Sequence, residues 1–153
     1  MAYKIPISVL VVIHTRDLRV LLLERAGHPG YWQSVTGSLD SLDEAMPAAA
    51  AREVFEETGI KRRTDEMFIW SVVNKFEIFP MWRHRYAPGV EQNVEHVFSL
   101  EVGAAQEIRL APAEHTAYEW LPWEEAALRC FSWSNRDAIR LLPEISGRKG
   151  SRT

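Results

Sequence analysis

The sequence has a single cysteine, no long uninterrupted apolar segment and little net charge. Cys130 is the only cysteine among 153 residues, which excludes an intramolecular disulfide and a thiolate metal cluster. Eighteen Lys and Arg residues against 21 Asp and Glu residues give a net charge of −3, which does not indicate a nucleic-acid-binding protein. No segment approaches the roughly 20 apolar residues that a membrane-spanning helix requires. These features favour a cytoplasmic protein with neither nucleic-acid nor membrane partners, and we expect a monomer.

The composition is that of one globular domain. Apolar residues make up 46% and charged residues 25% of the chain, close to the averages for globular proteins. A chain of this length forms one ordinary domain and buries roughly 70% of the surface that its unfolded form exposes. We expect residues 1–146 to form a single domain. Residues 147–153 are basic and contain Gly and Ser, so we expect a disordered tail there.

Strands outnumber helices in the predicted secondary structure. Two β-rich runs at 5–14 and 19–25, separated by a polar turn, predict a hairpin. Further extended segments are predicted at 31–36, 67–79, 91–102 and 118–121, and helices at 45–58, 124–130 and 135–142. Because strands and helices mix irregularly, we expect an α+β fold with helices packed on a mixed sheet.

The predicted helix at 45–58 concentrates negative charge. Glu53, Glu56 and Glu57 stand at i, i+3 and i+4, which places three mutually repelling carboxylates on one helix face. The apolar residues predicted to pack on the other side are Ala48, Ala51, Val54 and Phe55. A hard divalent cation such as Mg²⁺ is the natural counter-charge for such a cluster. The glutamates alone nevertheless fit a solvated helix surface better than a metal site.

The residues around this cluster resemble a family signature. Gly37, Glu44 and the run at 52–60 are similar to the box of the Nudix hydrolase superfamily, which ends in Arg-Glu-aliphatic-x-Glu-Glu-x-Gly-aliphatic. Every specified position of 52–60 matches. Six residues rather than five separate Gly37 from Glu44, so Asp43 is an alternative to Glu44.

This resemblance implies a fold and a reaction. Nudix domains are α/β/α sandwiches with a mixed β-sheet, and they hydrolyse compounds in which a diphosphate is linked to another moiety, assisted by Mg²⁺ or Mn²⁺. By position, Glu53 and Glu57 would bind the metal directly, and Glu56 is a possible third ligand. Arg52 would orient these carboxylates through charge-assisted hydrogen bonds.

Longer stretches resemble one branch of that superfamily, the bacterial dihydroneopterin triphosphate diphosphatases of folate biosynthesis. They lie at 32–38, 76–79, 83–90 and 132–136, and shorter matches are Tyr3-Lys4 before Pro6 and Glu114-His115 followed by Tyr118 and Trp120. The implied reaction is hydrolysis of 7,8-dihydroneopterin 3′-triphosphate to dihydroneopterin monophosphate and pyrophosphate. The resemblance makes Glu114 a further metal ligand that could polarise the attacking water, although an isolated loop carboxylate is usually just exposed.

The same resemblance implies the substrate contacts. Lys4, Arg25 and Thr36 would bind phosphate or polar pterin atoms. Phe76, Glu77, Ile78 and Phe79 would form a wall for the flat ring, with Glu77 accepting its N–H groups, whereas Phe and Ile alternating in a strand more often belong to a core. Ser132 would be a late contact, and a helix N-cap at Ser134 is the local alternative for this segment.

Several alternatives remain open at this point. The run 83–85, Arg-His-Arg, either binds phosphate or is a solvated loop, and we leave it out of the predicted site. A Nudix enzyme acting on nucleoside triphosphates such as dATP is the nearest competing function. A non-catalytic ligand-binding module with the same fold is the more distant one.

Overall fold

The computed structural model describes the backbone of residues 2–151 and the side chains of residues 2–147. Its strands are β1 (Ile7–Thr15), β2 (Arg19–Arg25), β3 (Trp32–Gln33), β4 (Val35–Ser38), β5 (Phe68–Glu77), β6 (Gln92–Val102) and β7 (His115–Pro122). The helices are α1 (Met46–Thr58), α2 (Trp123–Arg129) and α3 (Trp133–Ser151), and short 3₁₀ turns cover Thr64–Glu66 and Pro80–Arg85.

The seven strands form one mixed sheet around β1. Strand β1 pairs in parallel with β6 over its whole length, from Ile7 opposite Val94 to Thr15 opposite Val102. It is antiparallel to β4 and to β2, and the latter pairing confirms the predicted hairpin. The β5 strand lies antiparallel to β6, while β3 and β7 both pair with β2.

The two faces of this sheet bury two separate cores. Side chains alternate along β1 as expected for a strand, so that Val9 and Val11 point to one face and Leu10 and Val12 to the other. The first face packs against α1, and the second packs against α2 and α3. The predicted α+β sandwich with a mixed sheet is thereby confirmed.

Helix α1 begins and ends close to the predicted positions. It starts at Met46 with Pro47 in its first turn, and Ala45 occupies the N-cap position without a side-chain cap. It ends at Thr58, and the C-cap residue Gly59 has a φ of 78° in the left-handed region and donates its N–H to the carbonyl of Phe55. The Gly37-to-Ile60 signature begins in β4, crosses the loop that carries Glu44 and ends just after this helix.

Gly59→Ala is expected to lower the free energy of unfolding by about 1–2 kcal/mol, because a Cβ is disfavoured in the left-handed conformation. The added Cβ would also stand 3.1 Å from the Cβ of Arg109. Chemical denaturation of the variant and of Gly147→Ala, where a Cβ meets nothing within 4 Å, measures the difference. Equal midpoints for the two variants would contradict the C-cap role.

Several element boundaries differ from the prediction, among them those of β5 and α3. The β5 strand ends at Glu77, so Ile78 and Phe79 follow the strand rather than belong to it. Helix α3 begins at Trp133 rather than at residue 135, so the alternative of an N-cap at Ser134 is wrong. The same helix continues to Ser151 and not only to residue 142. Residues 152 and 153 lie outside the described residues, and the separate tail at 147–153 stays a prediction.

Within the described part of the chain, none of the helices combines the length and the apolar character needed to span a bilayer.

Candidate active site

The glutamates of α1 do not all face the same environment. Glu53 and Glu57 are buried on the helix side that also carries Ala49, Ala50 and Val54. Glu56 is exposed, and so is Phe55, which is 46% accessible. The prediction that Phe55 belongs to the buried stripe is therefore wrong: the stripe is rotated towards the side that carries two of the carboxylates.

Arg52 holds several carboxylates at once. Its Nε and Nη2 donate to the two Glu44 oxygens at 2.8 and 3.0 Å, and its Nη1 donates to Glu53 at 2.8 Å and to Glu56 at 3.3 Å. Another hydrogen bond reaches the carbonyl of Ser38 in β4. Glu44 therefore occupies the signature position for which Asp43 was the alternative, and Asp43 is exposed. These hydrogen bonds raise the pKa of Arg52 and fix the orientation of Glu53.

Glu57 is a deeply buried carboxylate. It is 1% exposed, and neither of its oxygens has a hydrogen-bond partner among the described residues. Burial first, and then the charge of Glu53, raise the pKa of Glu57 well above its usual range. Burial also raises the pKa of Glu53. A bound divalent cation would remove both penalties, so the donor set fits a metal ion.

A loop and the start of β7 bring further ligands to Glu57. One carboxylate oxygen each from Glu57 and Glu114 and one ring nitrogen of His115 lie within 4.8 Å of one another. The His115 Nδ1 stands 3.6 Å from Glu57 Oε1 and is itself buried without a hydrogen-bond partner among the described residues. Burial, and then the charge of Arg25, lower the pKa of His115 to about 4, which keeps the ring neutral and able to bind a metal.

Sequence reasoning missed His115 as a ligand candidate and placed Glu53 in the metal set instead. Glu53 lies outside the group formed by Glu57, Glu114 and His115. Its carboxylate packs against Gly37 of β4, where an added Cβ would overlap the carboxylate atoms. The only available signal for His115 was its position directly after Glu114 in a stretch that resembles the family. The metal-ligand role of Glu53 stays a prediction.

Three cations face these carboxylates across a cavity of about 830 Å³. Lys4, Arg25 and Arg85 line it together with Glu53, Glu57, Glu114 and His115. The pKa values of Lys4 and Arg25 are lowered, first by burial and next by the positive charge of Arg85. Partly buried like charges repel one another, so this arrangement favours a polyanionic ligand.

A second cavity of about 160 Å³ shares part of this wall and is aromatic. Lys4, Arg25 and Thr36 line both cavities. The aromatic residues around the second cavity are Phe76, Phe79, Trp82, Tyr86, Phe131 and Trp133. Phe79 stacks on Trp82 with ring centroids 5.3 Å apart. Such walls suit a flat heterocycle.

The structure brings the remaining predicted substrate contacts to the second cavity. Ser132 and Ile78 line it, and Ile78 is buried. Glu77 also lines it, but its side chain is 77% exposed and lies 3.9 Å from Arg83. The run Arg-His-Arg is only partly a solvated loop, because His84 lines the first cavity and Arg85 lines both. Arg85 is thus a site residue that the sequence interpretation left out.

The comparison with protein families agrees with this geometry. The family model named NUDIX domain matches residues 4–142 of this chain. The chain belongs to the Nudix family. Members of this family use divalent metals, and the group formed by Glu57, Glu114 and His115 could hold such an ion.

Individual relatives of this Nudix chain are similar over nearly its whole length. Dihydroneopterin triphosphate diphosphatase of Escherichia coli (strain K12) is 46% identical over 140 residues, covering 90% of this chain and 91% of the relative. The enzyme of the same name from Haemophilus influenzae is 39% identical, covering 92% and 89%. The structure of the E. coli dihydroneopterin triphosphate pyrophosphohydrolase matches with a TM-score of 0.83 and 45% identity, covering 91% and 95%.

Proposed function

We propose that this Nudix hydrolase cleaves 7,8-dihydroneopterin 3′-triphosphate to dihydroneopterin monophosphate and pyrophosphate. The observation that carries the proposal is that two cavities with different linings lie side by side and share part of their wall. One holds carboxylates facing three cations, the other is aromatic, and Lys4, Arg25 and Thr36 line both. A triphosphate attached to a flat ring would place its phosphates in the first cavity and its ring in the second. The names of the relatives at 46% and 39% identity support the same substrate.

The metal in this proposal is Mg²⁺, with Mn²⁺ as a substitute. Glu57, Glu114 and His115 would hold it, and Glu53 is the further ligand predicted from the sequence. When bound, the ion neutralises phosphate charge and lowers the pKa of a coordinated water.

The protein's own side chains then orient the reacting groups. The phosphate oxygens would be bound by Lys4, Arg25 and Arg85. This binding would align the triphosphate for in-line attack at phosphorus. A water oxygen forms the new bond to the α or the β phosphorus, the bond from that phosphorus to the bridging oxygen breaks, and pyrophosphate and the monophosphate are released. Glu114 is exposed beside the buried carboxylates and is the proposed acceptor of the water proton.

Arg52 and Glu56 have different parts in this proposal. Arg52 is a positioning residue, because it fixes Glu53 and Glu44 and does not line either cavity. Glu56 is exposed and lines neither cavity, so we assign it a supporting electrostatic role through Arg52. A cytoplasmic, monomeric enzyme stays the prediction made from the sequence.

The substrate is tested by comparing kcat/KM for 7,8-dihydroneopterin 3′-triphosphate and the common dNTPs in the presence of Mg²⁺. We expect the pterin to be favoured over dATP by roughly 100-fold or more, because buried polar groups discriminate strongly against ligands that leave them unpaired. A higher kcat/KM for a dNTP would overturn the pterin assignment.

Product analysis in ¹⁸O-labelled water tests the reaction independently of the preference between the pterin triphosphate and the dNTPs. Pyrophosphate and a monophosphate must appear in equal amounts, and the label identifies the attacked phosphorus. Release of inorganic orthophosphate as the first product would contradict the proposed bond cleavage. The absence of any turnover with a divalent metal would instead favour the non-catalytic module.

A further inference from the structure

The floor of the aromatic cavity contains a buried carboxylate that has no part in the proposed binding of the metal or the phosphates. Glu95 lies in the middle of β6, lines this cavity and is 4% exposed. Asn74 Nδ2 lies 3.5 Å from its Oε1, and its other polar neighbour is Ser134. Burial raises the pKa of Glu95 to about 7, and these two neutral neighbours offset only part of that effect. The described residues therefore give this carboxylate no charged donor.

Asn93 supplies a second buried acceptor on the same strand. Its Nδ2 donates to Ser8 Oγ at 2.7 Å, which leaves Oδ1 without a hydrogen-bond partner among the described residues. Asn93 is 3% exposed and also lines the aromatic cavity. Residues i and i+2 of a strand point to the same face, so the acceptors of Asn93 and Glu95 stand side by side. An unpaired buried acceptor is costly, which makes this pair a docking place for donors.

The nature of the two acceptors restricts the ligand. A carboxylate accepts two parallel hydrogen bonds from a planar group that carries adjacent N–H donors. The 2-amino-4-oxopyrimidine ring of a pterin offers such a pair, its ring N3–H beside its exocyclic 2-amino group. Guanine has the same pair. Adenine places a ring nitrogen acceptor beside its amino group, which would face the carboxylate with a lone pair.

We propose that Glu95, assisted by Asn93, is the specificity-determining residue that binds the N–H edge of a 2-amino-4-oxopyrimidine ring in the aromatic cavity. The inference rests on the proposed function and deepens it. It assigns the base-reading role to a buried side chain, whereas Glu77, predicted for this role from the sequence, is largely exposed beside Arg83. Phe76 and Trp133, edge to face at 6.5 Å, belong to the walls beside this floor.

The first test measures binding without catalysis. The affinities of 7,8-dihydroneopterin and of inorganic tripolyphosphate are compared for the unmodified protein, Glu95→Gln and Glu101→Gln. Glu101 lies on the same strand outside both cavities and is the matched control. We expect Glu95→Gln to bind dihydroneopterin at least about tenfold more weakly, because its amide NH₂ meets donors, and to bind tripolyphosphate unchanged. Unchanged dihydroneopterin affinity, or an equal loss for both ligands, would overturn the proposal.

The second test changes the ligand and needs no variant. Pterin and lumazine differ in that lumazine carries a 2-oxo group where pterin has its 2-amino group. We expect lumazine to bind the unmodified protein at least about tenfold more weakly, because its oxygen faces the carboxylate. Equal affinities would refute the acceptor role of Glu95 even if Glu95→Gln failed to fold.

The two proposals fail in distinguishable ways. One outcome is that guanosine binds the unmodified protein and loses affinity in Glu95→Gln, while dihydroneopterin does not bind at all. The pterin function would then be wrong, and the recognition of the ring edge by Glu95 would stand. If dihydroneopterin triphosphate is hydrolysed with the same KM by Glu95→Gln and the unmodified enzyme, the function stands and the role of Glu95 is wrong.

Discussion

Glu57→Gln is expected to reduce kcat far more than the roughly 10–100-fold loss typical of residues that only orient a metal ligand. Glu57 is buried at the centre of the candidate ligand group, and its oxygens have no hydrogen-bond partner among the described residues that could take over its role. The amide keeps the shape of the side chain but removes its charge, so the site loses affinity for Mg²⁺. Steady-state turnover across a Mg²⁺ titration measures the effect.

The same substitution is expected to stabilise the metal-free protein at alkaline pH. The pKa of Glu57 is raised in the folded state, so its contribution to stability is fully present below the unfolded pKa and is lost as pH rises through the folded value. The metal-free protein should therefore unfold at lower temperatures as the pH increases, and Glu57→Gln should show less of this decrease. Thermal unfolding with a chelator present, repeated across neutral pH, measures both slopes.

Glu56→Gln provides the comparison within the same helix. Glu56 is exposed and accepts a hydrogen bond from Arg52, so its substitution should reduce turnover much less than that of Glu57 and leave the pH slope unchanged. If Glu56→Gln were as inactive as Glu57→Gln, burial would not be what distinguishes the two carboxylates. Equal pH slopes for Glu57→Gln and the unmodified protein would contradict the raised pKa.

Gly37→Ala is expected to reduce kcat by roughly 100-fold, the range found when the support of a catalytic group is disturbed. An alanine Cβ at this position would overlap the Glu53 carboxylate, which cannot withdraw without breaking its hydrogen bond to Arg52. The displaced Glu53 would then alter the charge around Glu57. Turnover and thermal unfolding, measured on the same preparation, separate this local effect from loss of fold.

Gly103→Ala is the matched control for that substitution. A Cβ at Gly103 meets nothing within 4 Å, and the residue lies outside both cavities. Activity should stay at the level of the unmodified enzyme. Full activity in Gly37→Ala would show that Glu53 does not need its close approach to β4.

The predicted and observed sites agree best where the signal is local. The 52–60 run identified α1, its end at Gly59 and the carboxylates Glu53 and Glu57, because helix periodicity and capping depend on neighbouring residues. Which helix side is buried depends on β4 and β1 packing against it, and so Phe55 was misplaced. The contacts of His115 and Arg85 with the site also depend on the way distant segments meet.

The sequence by itself determined the chemistry available to this protein: the family signature, the mixed sheet and helices, the acidic helix and the candidate substrate residues. Tertiary structure alone decided which of those groups meet. It buried Glu57 beside Glu114 and His115, set Arg85 next to Lys4 and Arg25, and placed Glu95 and Asn93 on the floor of the aromatic cavity. The physical reason is that burial and charge pairing arise between segments that are far apart in the chain. Local sequence patterns do not specify the distances in space between such segments.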